Sequence, residues 1–321
     1  MAKILMIADG HLSLKINPDE IEVILRTVTN TLGEKNIFSR LLHDHYDRQR
    51  ESHLKKALSQ AVKKDDCEMI ISLGDLTPGR NYGGIIDPEA YDEAIHFLSL
   101  LAEISGVSPS DIIKVPGNHD LGYHYSTWAW GSTWPDSTNF EAYKKAYGSL
   151  YGYRLLTPEF MFIYLSPVHV ETLAYRPGKI SDEKLDFLIT KQTEELEFLE
   201  QTLAQNGQLF FLGIHDPGTF ISPQLEAVIN PHRERLVASF TGHVHAQWVL
   251  DFIKMFRPSF RPAFKKYRLQ FVPSIWGAVL PFLFWPTGAG WGRLILDGGK
   301  ADLELRQFDS PKINPIALWP L

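Results

Sequence analysis

Five short apolar runs in this sequence each stop at a residue able to bind a cation. Residues 3–8 run into Asp9 and His11, and residues 67–73 into Gly74 and Asp75. Residues 111–115 lead through Pro116 to Gly117-Asn118-His119-Asp120. Residues 208–214 stop at His215, and residues 237–241 at Gly242-His243-Val244-His245. Carboxylate, amide and imidazole donors suit hard or borderline ions such as Mn, Fe, Mg or Zn. The chain has one cysteine, Cys67, which excludes an internal disulfide and a thiolate-rich metal site. Asp9/His11 and His243/His245 are i, i+2 pairs, which an extended backbone points to the same side. Leaving His119 and Asp120 aside, these loops offer two carboxylates, one carboxamide oxygen and four imidazoles. That is enough for two cations with four protein ligands each if one carboxylate bridges. A water shared by two dications loses its proton near neutral pH, so the chemistry implied is metal-assisted hydrolysis.

The elements that must position these residues alternate between short apolar strands and longer amphipathic helices. Strands are expected at 3–8, 67–73, 111–115, 160–165, 208–214 and 237–241. Asn17-Pro18-Asp19-Glu20 reads as a helix start, with Gly33 as its end, and a second helix is expected over about 39–64. Further helices are expected from Asp87-Pro88 to Ser105 and from a Ser181 cap to Gln205. The tail, about 246–321, reads as β-rich, with strands at 267–272, 291–296 and 301–308, the last two flanking Asp297-Gly298-Gly299. The pattern predicts one α/β layered domain over residues 1–321. In such sheets ligands bind beyond the carboxyl ends of the strands, so the five loops are expected to converge on one site.

DxH, GD, GNHD, a lone His and GHxH, in that order over residues 9–245, resemble the signature of the calcineurin-like metallophosphoesterases. That resemblance implies two packed mixed β-sheets flanked by α-helices, the four-layer sandwich of the family. It implies hydrolysis of a phosphate ester by a hydroxide bridging two divalent ions (Mn, Fe or Zn, with Mn the first choice). Asp9, His11 and His245 would bind one ion, and Asn118, His215 and His243 the other, with Asp75 bridging. His119 would face the substrate phosphate and aid the leaving group, and Asp120 would orient that imidazole. Family members carry a further Asp or Arg in GDxxD or GDxxR, whereas here the segment is Gly74-Asp75-Leu76-Thr77-Pro78-Gly79-Arg80. Arg80, two positions beyond, and His124, five after His119, are therefore the substrate-contact candidates.

Taken singly, each of these residues is explained by ordinary capping and turn chemistry; their joint occurrence at strand ends is not. His43-Asp44-His45 falls in an expected helix, where i and i+2 diverge, and reads as a solvated face. Arg257, Arg261, Lys265, Lys266 and Arg268, interleaved with Phe256, Phe260, Phe264 and Tyr267, read as a solvated hairpin whose aromatics cover the core. Their alternative is a stacking platform for single-stranded nucleic acid. A net charge of −6 supplies no global attraction to nucleic acid or anionic membrane. The apolar stretch 271–286 is short and carries three prolines, which argues against a membrane span. The N-terminus lacks a signal-peptide pattern, and the expected location is cytoplasmic. A small phosphate ester is the expected partner, a diester preferred because no arginine-rich pocket awaits a dianionic monoester. Three readings stay open: a small-molecule phosphodiesterase or phosphatase, a nuclease, and a non-catalytic metal-binding scaffold.

Overall fold

In strand β1 (Ala2–Ile7) neighbouring side chains leave on opposite faces, and both faces are buried: Ile4 and Met6 on one, Leu5 and Ile7 on the other. A strand covered on both sides needs an unbroken apolar run, which is what residues 4–7 provide. The computed structural model describes residues 1–8, 67–77, 86, 88–122, 137–167, 180–243, 260–273, 290–307 and 310–320. The helices expected from Asn17 to Gly33 and over 39–64 lie outside these residues, as does most of 271–286.

Parallel to β1 run β2 (Met69–Ser72) and β3 (Ile112–Lys114), joined by α1 (Pro88–Ser105). After α2 (Ser137–Tyr147) come β4 (Gly152–Leu155), β5 (Phe160–Leu165), α3 (Asp182–Gln205), β6 (Leu209–Ile214), α4 (Pro223–Ile229) and β7 (Leu236–Thr241). α5 (Phe260–Lys266), β8 (Leu269–Phe271), β9 (Gly290–Asp297), β10 (Lys300–Gln307) and β11 (Ser310–Trp319) complete the described elements. Two mixed sheets result. The six-stranded sheet has the order β11-β10-β9-β1-β2-β3, and the five-stranded sheet the order β4-β5-β6-β7-β8.

The sheets pack face to face. Ile4, Met6 and Ile71 of one meet Phe160, Phe162, Phe211 and Phe240 of the other in a common core. Outside the first sheet, α1 packs Ala90, Tyr91, Ala94, Phe97, Leu98 and Leu101 onto Leu5, Ile7 and Ile70, beside Phe140 and Tyr143 of α2. The three-to-four-residue spacing along α1 is one helical face. Outside the second sheet, α3 and α4 cover Met161, Ile163, Phe210 and Leu212 with Leu199, Leu203, Leu225 and Ile229. The architecture is therefore a four-layer α/β sandwich. As expected, Ser181 caps α3, its hydroxyl accepting from the Lys184 amide, and α1 starts at Pro88.

One expectation needs correcting. The described part of the basic, aromatic stretch is not a hairpin but contains helix α5. Phe260, Phe264 and Tyr267 are spaced four and three apart, the period of one helical face, which the alternation with cations masked. Two of its cations are engaged by the protein while Lys265 is exposed: Lys266 pairs with Glu226, and the Arg268 guanidinium lies 5.5 Å from the Trp319 ring. Among the described residues no helix is long and apolar enough to cross a membrane.

Candidate metal centre

The chain leaves β2 through two successive residues in the left-handed region, Gly74 at φ 93° and Asp75 at φ 54°. A non-glycine residue there carries strain that the surroundings must hold, a pattern concentrated at functional sites. The cause is the close approach of a second loop. A Cβ on Gly117 would lie 2.1 Å from both the Asp75 amide nitrogen and its Oδ1, so only glycine fits. A Cβ on Gly74 would likewise meet His215 Nδ1 at 2.7 Å and Gly117 Cα at 2.8 Å. The two glycines thus let the loops after β2 and β3 touch through backbone. Asp75 Oδ1 accepts from the His119 amide at 2.9 Å. Asp120 uses one carboxylate oxygen for the Thr77 amide (2.8 Å) and the other for the Gly117 amide (2.9 Å).

Across the sandwich, at the end of β6, His215 is fully buried. Its Nδ1 lies 2.6 Å from the Leu73 carbonyl oxygen, which can only accept, so Nδ1 carries the proton and donates. In the neutral ring Nε2 then holds a lone pair, and it stands 2.9 Å from Asp75 Oδ2. His243, at φ 67° beyond β7, brings its Nδ1 to 2.8 Å from Asn118 Oδ1. The two imidazoles meet edge to face, with centroids 5.2 Å apart. Candidate ligand atoms of Asp75, His215 and His243 all lie within 4.8 Å of one another. His119 is one-fifth exposed, its Nε2 3.9 Å from Asp75 Oδ2, at the open side of this buried group.

Two electron-pair donors facing each other in a buried place are satisfied by a proton shared between them or by a metal cation beside them. The 2.9 Å from His215 Nε2 to Asp75 Oδ2 matches neighbouring ligand atoms on one ion with bonds of about 2.1 Å. With the Asn118 oxygen and the His243 ring alongside, the donor set fits a divalent ion. Burial, and then the charge of Asp75, pushes the Asp120 carboxyl up to about 6. Burial also raises Asp216 to about 7, against the pull of its hydrogen bond from the Gly218 amide. In a metal-free centre these carboxylates therefore crowd one another electrostatically.

Of the residues singled out in the sequence, Asp75, Asn118, His119, His215 and His243 are brought together here. Asp9, His11, His245, Arg80 and His124 lie outside the described residues. Asp120, expected to orient the His119 imidazole, instead spends both oxygens on backbone amides. The Leu73 carbonyl, which fixes the His215 tautomer, was invisible to sequence reasoning, because a main-chain acceptor leaves no trace in residue type.

A family model described as calcineurin-like phosphoesterase matches residues 2–247. The chain belongs to the calcineurin-like phosphoesterase family. Membership supports metal-dependent hydrolysis of phosphate esters in general, and Asp75, His215 and His243 form a cluster that could hold a metal ion. Among solved structures, the chain is similar to vacuolar protein sorting 29 from Cryptosporidium parvum. The identity is 12%, over 98% of this chain and 96% of that one, with a TM-score of 0.34. No curated protein gives a match.

Proposed function

We propose that this phosphoesterase cleaves a phosphodiester of a small molecule with two divalent cations, manganese first among them. Asn118, His215 and His243 would hold one cation, Asp9, His11 and His245 the other, and Asp75 would be shared. The observation that carries this reading is the His215–Asp75 pair: one imidazole nitrogen is committed to the Leu73 carbonyl, and the other faces a carboxylate at 2.9 Å. When bound, such a pair of cations acidifies water and neutralises the phosphoryl oxygens as charge builds.

The chain's own residues supply the rest. His119 stands at the exposed side of the cluster, and its protonated ring donates to the departing alkoxide. Asp120 acts on His119 through the backbone, by holding the amides of Gly117 and Thr77. Arg80 and His124 are the proposed substrate contacts. Apart from Arg80, no Arg or Lys occurs in residues 9–14, 74–85, 116–136, 215–222 or 241–250, so the sequence around the motifs offers no cluster of cations for a second phosphate charge. That supports a diester over a monoester. The engagement of Lys266 by Glu226 and of Arg268 by Trp319 leaves fewer cations of this stretch for phosphates, which favours a small substrate over nucleic acid.

The test is hydrolysis of bis-p-nitrophenyl phosphate and p-nitrophenyl phosphate by protein stripped of metal and reloaded with Mn²⁺. The expected result is Mn²⁺-dependent turnover, faster on the diester and abolished together with metal binding in Asp75→Asn. His119→Ala is expected to keep the metal and to lose about 10²–10⁴ in rate. Mn²⁺ binding without cleavage of either ester would favour the scaffold reading, and absence of Mn²⁺ binding would overturn the site assignment.

A further inference from the structure

Two buried polar side chains, Asn139 and Tyr91, bond main chain next to the loops that carry Asp75 and Asn118. Asn139, in the first turn of α2, is 1% exposed. Its Oδ1 accepts from the Ile86 amide at 2.9 Å, and its Nδ2 donates to the Leu121 carbonyl at 3.3 Å. Because one partner can only donate and the other only accept, the orientation of the amide is fixed. Ile86 follows the Asp75 loop, and Leu121 closes the 3₁₀ turn His119–Leu121 that follows Asn118. Tyr91 of α1 donates its hydroxyl to the Asp120 carbonyl at 2.8 Å, and more weakly to the Asn139 carbonyl at 3.4 Å. The Asp120 side chain then ties Gly117 to Thr77. Helices packed on the outer face of the sheet are in this way bonded to residues 120 and 121, just after Asn118 and His119, and through the Asp120 side chain to Thr77, two residues after Asp75.

We infer that Asn139 and Tyr91 are positioning residues for the metal centre, setting the separation between the Asp75 loop and the Asn118–His119 loop. This rests on the assignment of Asp75 and Asn118 as metal ligands proposed above. A buried amide bonded at both ends to main chain has one arrangement, so it fixes the distance between its two partners; van der Waals contact alone leaves that distance free to drift. Supports of this kind around metal ligands are worth roughly 10–100-fold in metal affinity or activity.

The test compares wild type with Tyr91→Phe, Asn139→Ala and, as a control remote from the loops, Leu199→Ala in α3. Mn²⁺ affinity of the stripped, full-length protein is measured by titration calorimetry well below each variant's melting temperature. Mn²⁺-saturated kcat and KM are measured on bis-p-nitrophenyl phosphate. Tyr91→Phe and Asn139→Ala are expected to weaken Mn²⁺ binding by roughly 10–100-fold and to lower kcat with little change in KM. Leu199→Ala is expected to lower the melting temperature while leaving Mn²⁺ affinity unchanged. Wild-type Mn²⁺ affinity in both loop variants would overturn the positioning role, as would an equal loss of affinity in Leu199→Ala. If Asn139→Ala does not fold, Tyr91→Phe, which deletes one hydroxyl and keeps the ring, decides alone. Failure of the wild type to bind Mn²⁺ would instead count against the ligand assignment and the proposed function.

Discussion

The two sheets present their candidate ligands in different ways. On the second sheet His215 directly follows β6, and its carbonyl receives the Gly242 amide at 3.2 Å and the Thr241 hydroxyl, so the β6–β7 ladder itself continues into the site. On the first sheet Asp75 and Asn118 sit in loops that have left the ladder. Their geometry depends on buried bonds from Asp120, Tyr91 and Asn139 to main chain. The lesson is that one half of the centre inherits its precision from sheet hydrogen bonding, while the other half needs a dedicated set of polar side chains. Substitutions should therefore be felt unequally across the sandwich.

The sharpest way to break this comparison is Asp120→Asn. An amide offers one oxygen where two amides need an acceptor each, so a buried N–H of Thr77 or Gly117 loses its partner. That costs about 1–3 kcal/mol. A roughly 10–100-fold loss of Mn²⁺ affinity is expected with it, read by calorimetry alongside thermal melting.

A second measurement uses pH on the metal-free protein. Asp120 and Asp216 have folded values near 6 and 7, above the ordinary 3.8. The folded state therefore holds these protons more tightly than the unfolded chain, and stability falls as pH rises from about 4 to 7. For Asp120 the shift corresponds to roughly 3 kcal/mol. Melting temperatures of stripped protein should decline across that window, with a shallower decline in Asp120→Asn. Saturating Mn²⁺ should flatten the slope, because a cation favours the ionised carboxylates. A metal-free protein whose stability rises over the same window would contradict the electrostatic crowding described for the site.

The smallest effect belongs to the second sheet. Thr241→Val removes one hydroxyl from the His215 carbonyl but leaves the Gly242 amide on it. About 1 kcal/mol of stability is expected to go, with Mn²⁺ affinity unchanged in the same calorimetric titration. A large affinity loss here would erase the contrast between the two halves.

Much of the site was legible because its residues are chemically conspicuous. Gly74-Asp75, Gly117-Asn118-His119, His215 and Gly242-His243 stand out as polar stops at the ends of apolar strands. Central strands and α1 were legible for a related reason: burial on both faces, or on one helical face, leaves a strong periodic signal. What escaped lies at the margins. β11 was not placed within the β-rich tail because Pro311 and Pro315 interrupt it; among the described residues it is the outer strand of its sheet, where proline is tolerated. β4 is four residues long and half exposed at the other sheet's edge, so it shows no alternation. α2 and α4 were not assigned, and with α2 went Asn139, which bonds backbone partners distant in sequence.

The contact between Gly117 and Asp75 also limits how this centre can be moved or remodelled. With no room for even one carbon at Gly117 or Gly74, a side chain added at either position forces the two loops apart. Anyone grafting the candidate metal centre onto another scaffold would do best to move residues 74–77 and 117–121 as a single module, together with the α1 and α2 side chains bonded near them. Laboratory evolution of new specificity would for the same reason find its freedom in the segments around this module rather than within it.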